Sequence, residues 1–178
     1  MEPSDEQLML AIQRDKLDKL NILFDRYQHR VYSYCLKSTQ NREDSSDLTQ
    51  SVFVRVMKYR KSYNGNRFET WLFQIARNLV KDHFRKLKIH NDQFNPVDIL
   101  PDYAEEENPN YENEQKLHLA LSRLSNDKRE LLVMSKFQGL KYEQIAQIRE
   151  STVSAIKVQV HRTIKELRTL YFEIDEEY

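Results

Sequence analysis

Two glycines in 178 residues constrain this chain more than any other feature. Hairpin turns and left-handed loop positions draw on glycine, which takes a positive φ without a Cβ clash. A sheet protein of this length needs many such turns, so the expected fold class is all-α. The same scarcity leaves no room for a Gly-rich phosphate loop or a dinucleotide fingerprint. Leu, Ile, Val and Phe together supply about 27% of the chain, above the ~20% level that signals disorder. The expectation is a folded chain with a lean core, as one ordinary domain or two small ones.

No apolar run approaches the roughly 18 residues needed to span a bilayer. The first ten residues, MEPSDEQLML, lack the basic start and apolar stretch of a signal peptide. Cys35 is the single cysteine and cannot form an internal disulfide, which fits a reducing compartment. The chain therefore reads as cytoplasmic, with no membrane insertion. Its five histidines, at 29, 83, 90, 118 and 161, show no metal-ligand spacing. No metal, no cofactor and no catalytic constellation is expected, so the chain does not read as an enzyme. His83, on an apolar helix face, reads as a core residue.

The 28 basic and 28 acidic side chains cancel, but they are segregated. Residues 1–90 carry 17 basic and 11 acidic groups, net +6. Residues 91–114 carry 8 acidic groups and no basic one, with three of the four prolines. Residues 115–178 carry 11 basic and 9 acidic groups, net +2. The composition predicts two small helical domains, 1–90 and 115–178, joined by an acidic linker over 91–114. The plain reading of that linker is a solvated tether. Within the first domain, residues 55–90 alone sum to +8, an electrostatic footprint for a polyanion.

Apolar spacing supplies the helices. Ser4 and Gln7 form a capping-box pattern that opens the first. Leu17, Leu20, Phe24, Tyr27, Val31 and Tyr34 recur at steps of three and four, predicting a second helix over 16–37. A third places Leu48, Val52, Val56 and Tyr59 inward, and Tyr63-Asn64-Gly65-Asn66 is the clearest turn. A fourth, over 68–88, buries Leu72, Ile75, Ala76, Leu79, His83 and Leu87. Its other face carries Arg77, Lys81, Arg85 and Lys88, four cations along about 16 Å of helix. Asp82 is the only acid after Glu69 in that helix, so internal pairing cannot neutralise the stripe. The stripe suits a phosphate backbone, although a solvated basic face remains open.

Residues 115–178 predict four helices with short connections. Gly139 closes the second, Tyr142 to Ile148 is a short third, and Ser151 or Thr152 caps a long fourth. The fourth places Val153, Ile156, Val160, Ile164, Leu167 and Tyr171 inward. A short helix, a tight turn and a longer basic helix make a helix-turn-helix, whose second helix enters the major groove. Ser154, Ala155, Lys157, Val158, Gln159, His161 and Arg162 face outward on it. Lys and Arg reach guanine or phosphate, Gln reads adenine, and an exposed Val touches a thymine methyl. The Arg149-Glu150 turn lacks the usual glycine, and an ordinary helical hairpin is the alternative.

Both domains, in this order, resemble the extracytoplasmic-function (ECF) group of the bacterial sigma-70 family, short factors reduced to regions 2 and 4. The segments that carry the resemblance are DLTQSVFVRVMKY (47–59), FETWLFQIARNLVKDHFRK (68–86) and GLKYEQIAQIRESTVSAIKVQVHRTIKELR (139–168). It implies core RNA polymerase as partner, through the largest-subunit clamp and the flap, with Asp47, Gln50 and Arg55 as clamp contacts. It also implies promoter DNA as partner, both single-stranded and duplex. Ser62, Tyr63, Asn64 and Asn66 would capture a flipped base of the minus-ten element, the tyrosine ring by stacking.

By the same resemblance, Trp71 lies at the edge of the melted DNA or in the core. Asn78 faces bases, and Arg77, Lys81 and Arg85 hold phosphates. The helix-turn-helix would read the minus-thirty-five element. Family members often carry Arg where this chain has Gln159 and a small residue where it has Val158, so the promoter sequence does not follow by analogy. The linker would thread the polymerase RNA path, with Asp102, Glu105, Glu106 and Glu107 mimicking RNA phosphates. An anti-sigma factor is a further candidate partner. The alternative reading is a stand-alone helix-turn-helix regulator that binds duplex DNA without polymerase.

Overall fold

The computed structural model describes residues 2–90 and 111–176, all helices and connecting turns. Helix α1 (Asp5–Gln13) opens with the capping box its sequence predicts. The Ser4 hydroxyl accepts from the Gln7 amide at 3.2 Å, and the Gln7 side chain accepts from the Ser4 amide at 2.9 Å. A 3₁₀ turn (Leu17–Lys19) leads into α2 (Leu20–Thr39), followed by α3 (Arg42–Lys58). Asn41 caps α3 through its side chain. A second 3₁₀ turn (Arg60–Ser62) and a short loop precede α4 (Phe68–His90).

These helices close over Leu8, Met9, Ile12, Leu23, Val31, Tyr34, Val52, Val56, Phe68, Leu72, Phe73 and Ala76, all buried. Tyr34 meets Phe73 edge to face, centroids 5.6 Å apart. Three residues of the predicted stripes are displaced from the core. Leu17 sits in the 3₁₀ turn, where the tighter winding changes the phase, and is 42% exposed. Phe24 lies at the rim against Phe53. Tyr59 falls one residue beyond α3 and is exposed under Lys58.

The C-terminal half contains α5 (Tyr111–Arg123), α6 (Asn126–Leu132), α7 (Tyr142–Ile148) and α8 (Val153–Glu176). Because α5 begins at Tyr111, the last four residues of the predicted linker are helical. One π turn (Val133–Phe137) extends α6 up to Gly139, whose φ of +65° ends it. On α8 the buried row is Ile156, Val160, Thr163 and, near its end, Ile174. Ile164, predicted inward, is exposed, because Thr163 takes the inner position with its hydroxyl donated to the Gln159 carbonyl at 2.8 Å.

The two halves pack on each other, α7 against α4, and α6 with its π turn against α2. Arg30 donates to the Gln138 carbonyl at 2.8 Å, and Gln144 donates to Glu69 at 2.8 Å and Thr70 at 3.1 Å. With so few glycines, left-handed positions fall to other residues: Asp15 (φ +66°), Gln40 (+57°) and Glu150 (+52°) end α1, α2 and α7. No helix among the described residues is long and apolar enough to cross a membrane.

Candidate nucleic-acid interface

The loop before α4 is held from several sides. Asn64 accepts the Asn66 amide at 3.1 Å in an Asx turn, and Gly65 takes φ +81°. Ser62, Asn64 and Asn66 are exposed and leave polar groups facing outward. Tyr63 is different. Its ring is 3% exposed, wedged against Phe68 and Trp71 with centroids 6.4 and 5.3 Å away, and its hydroxyl donates to the Asn66 carbonyl. Burial pushes that hydroxyl up to about 12, with Glu6 and Asp5 adding to the shift. The ring expected to stack on a base is therefore not open for stacking in this structure and supports the loop from beneath. Trp71 is half-buried against the core, bridging loop and helix.

On α4, Asn78, Lys81 and Arg85 are exposed. Arg85 bonds Asp82 at 3.1 Å on an open surface, where such a pair is weak. Lys81, Arg85 and Lys88 line a groove of about 320 Å³ together with Val80, Phe84 and, from α6, Asp127 and Glu130. Arg77 departs from the expectation. Its side chain is 13% exposed, and its Nε donates to Glu130 at 3.1 Å. In this arrangement it reaches a phosphate only by exchanging Glu130 for it. His83 is partly buried, with Nε2 3.3 Å from Asp44 of α3.

The helix-turn-helix forms as read. Thr152 is the cap of α8, accepting the Ala155 amide at 3.1 Å. The preceding turn is a Schellman motif, with the Ser151 amide bonded to the Ala146 carbonyl at 2.9 Å and Glu150 in the left-handed position. Ser154, Lys157, Val158, Gln159, His161 and Arg162 are exposed, and Ala155 is half-buried. On α3, Asp47 and Gln50 are exposed, while Arg55 is half-buried with Asp82 at 3.7 Å. Asp102, Glu105, Glu106 and Glu107 lie outside the described residues.

Sequence spacing gave no sign of Glu130 or Gln13. The Glu130 side chain, 7% exposed, accepts from Arg77 at 3.1 Å, Arg149 at 2.9 Å and Tyr34 at 3.2 Å. Gln13, at the end of α1, donates to the Lys61 and Tyr63 carbonyls at 3.2 and 2.9 Å. Their partners stand 19 to 96 residues away, beyond any helical period.

Residues 23–89 match sigma-70 region 2, and residues 114–167 match sigma-70 region 4. The RNA polymerase sigma factor CarQ of Myxococcus xanthus is 31% identical, over 89% of this chain and 92% of that one. The ECF sigma-E factor of Escherichia coli is 26% identical, over 89% of this chain and 90% of that one. Among solved structures, CnrH in complex with the cytosolic domain of CnrY superposes with a TM-score of 0.72 at 19% identity, covering 98% of this chain and 99% of that one. The sigma factor RpoE of Bartonella quintana, solved with the anti-sigma factor NepR, gives 0.69 at 22%, covering 84% and 94%. A duplex-only regulator is not favoured, since region 2 matches as fully as the helix-turn-helix. The chain belongs to the sigma-70 family of RNA polymerase sigma factors, in its extracytoplasmic-function group.

Proposed function

We propose that this sigma factor, which directs core RNA polymerase to specific promoters, divides recognition between two chemically different surfaces. Ser62, Asn64 and Asn66 take a flipped minus-ten base through its polar edge. Asn78 lies beside the melted strand, and Lys81, Arg85 and, once released from Glu130, Arg77 hold its phosphates. On α8, Lys157, Val158, Gln159, His161 and Arg162, with Ser154 and Ala155 at the entering end, read the minus-thirty-five duplex. Asp47, Gln50 and Arg55 of α3 dock on the polymerase clamp.

The observation that carries this reading is the coexistence of a pre-formed asparagine loop and an exposed recognition-helix row in one chain. A duplex reader has no use for the first. Melting draws on binding energy to flipped bases and the single strand, without nucleotide hydrolysis by this chain. The setting is cytoplasmic. The sigma factor RpoE of Bartonella quintana was solved with the anti-sigma factor NepR, and an anti-sigma protein is proposed as a partner here too. The acidic linker residues Asp102, Glu105, Glu106 and Glu107 stand in for RNA phosphates in the polymerase channel. Replacing those four with Ser is expected to change the yield of abortive transcripts.

Run-off transcription with purified core polymerase and a promoter library tests the assignment. Promoter-specific transcripts that Asn64→Ala and Gln159→Ala each alter at a different element support it. Duplex binding without transcription would overturn it.

A further inference from the structure

We infer that Gln13 and Asp15, at the end of α1, are positioning residues for the base-capturing loop. They fix segment 60–63 before DNA arrives. The inference rests on the reading of Ser62, Asn64 and Asn66 as that loop. Nothing about α1 in the sequence suggests a part in promoter opening, since its apolar face is consumed by the core.

The contacts form a two-sided clamp. Gln13 Nε2 donates to the carbonyls of Lys61 at 3.2 Å and Tyr63 at 2.9 Å. Lys61 Nζ donates back to the Gln13 carbonyl at 2.6 Å and to Asp15 at 3.0 Å. Arg60 bonds Asp15 through Nη2 at 2.8 Å and Nε at 3.2 Å. The Arg60 and Lys61 hydrogen bonds hold the Asp15 carboxyl below the usual carboxylate range. Every backbone carbonyl that Gln13 grips belongs to the stretch leading into Asn64.

Asp15 also sits where a glycine is ordinarily preferred. α1 ends in a Schellman motif, with the Asp15 amide bonded to Ile12 and the Lys16 amide to Ala11, and Asp15 takes φ +66°. Glycine fits that position without strain. It has no carboxylate to hold Arg60 and Lys61. The position therefore separates helix capping, which glycine performs, from loop positioning, which needs the side chain.

A pre-ordered loop makes base capture cheaper, because the cost of fixing the loop is met during folding. Loosening the clamp should slow promoter opening and blunt discrimination among bases. It should not weaken polymerase binding, which uses α3.

The test uses the full chain with core polymerase on two templates, one fully duplex and one already mismatched open across the minus-ten element. Gln13→Ala and Asp15→Gly are compared with Asn64→Ala. Gln13→Ala is expected to slow open-complex formation on the duplex about fivefold, the factor of one net hydrogen bond, and to flatten base preference at the captured position. Core binding should stay within twofold. Asp15→Gly should give a smaller loss of the same kind with undiminished thermal stability, as the pairs it removes are solvent-exposed. Gln13→Asn, one methylene short of both carbonyls, should resemble Gln13→Ala.

Equal losses on the two templates, or losses matched by weaker core binding, would overturn the clamp in favour of general destabilisation. An effect of Asn64→Ala with none from Gln13→Ala would overturn the clamp and leave base capture standing. No effect of Asn64→Ala on base preference would overturn the base-capture reading itself.

Discussion

Arg77 of α4 and Glu130 of α6 meet at 3.1 Å, joining the two halves through a pair whose side chains are 13% and 7% exposed. Arg149 reaches the same carboxylate oxygen at 2.9 Å, and Tyr34 bonds the other at 3.2 Å. Burial first, and Glu130 second, push the Tyr34 hydroxyl well above its ordinary range, so it remains a donor. Removing one member of such a cluster strands the others in low dielectric, and a broken buried pair costs about 3–5 kcal/mol. Glu130→Ala should lower the urea unfolding free energy by about 3 kcal/mol. Lys128→Ala, which breaks the half-exposed pair with Glu166, should cost under about 1 kcal/mol. Equal shifts in the two variants would remove any special weight from Glu130.

How much of this was legible depends on the range of each interaction. The capping box at Ser4, the Gly139 stop and the buried row Ile156–Val160 rest on contacts within one or two turns, and spacing reports those. The helix-turn-helix was legible for the same reason, down to the outward face of α8. The surroundings of Tyr63 and Arg77 were not legible, because they depend on how elements pack: Phe68 and Trp71 of the next helix close on the ring, and Glu130 arrives from 53 residues away. A buried glutamate followed by Leu131, Leu132 and Val133 carries no local mark of the two arginines it serves. The two-glycine count proved informative in a second way. It fixed the fold class and also forced Asp15, Gln40 and Glu150 into left-handed backbone.

Glu150 offers a clean measure of that strain. Its side chain is exposed, and its left-handed conformation costs an L-residue roughly 1–2 kcal/mol. Glycine relieves the clash but adds unfolded-state freedom worth about 0.5–1 kcal/mol. Glu150→Gly should therefore stabilise the chain by about 0.5 kcal/mol, read as a rise of a degree or two in Tm. Minus-thirty-five binding should be unchanged. A fall in Tm would show that the glutamate side chain contributes something that its exposed position conceals.

Cys35 reports on the core of the N-terminal half. It is fully buried, and desolvation pushes its thiol up to about 12, against a smaller opposing effect of Thr49. At pH 8 the thiolate fraction is about one in ten thousand, and the thiolate is the reactive form. A disulfide reagent should label the folded chain at the rate of opening, with complete and fast reaction only in denaturant. Rapid labelling of the native chain would mean that α2 and α3 separate readily.

On the proposed reading, the exposed row on α8 makes two kinds of contact that a promoter library can tell apart. Gln159 and Arg162 are both exposed, the arginine one turn further from the helix start; the amide is proposed to take an adenine edge and the guanidinium a phosphate. Gln159→Ala should relax preference at a single base pair, by about 1–3 kcal/mol. Val158→Ala should weaken selection of a neighbouring thymine. Arg162→Ala should instead lower use of all promoters alike and reduce the salt dependence of binding by about one ion. Sequence-selective loss from Arg162→Ala together with uniform loss from Gln159→Ala would reverse the roles and turn α8 about its axis in the groove.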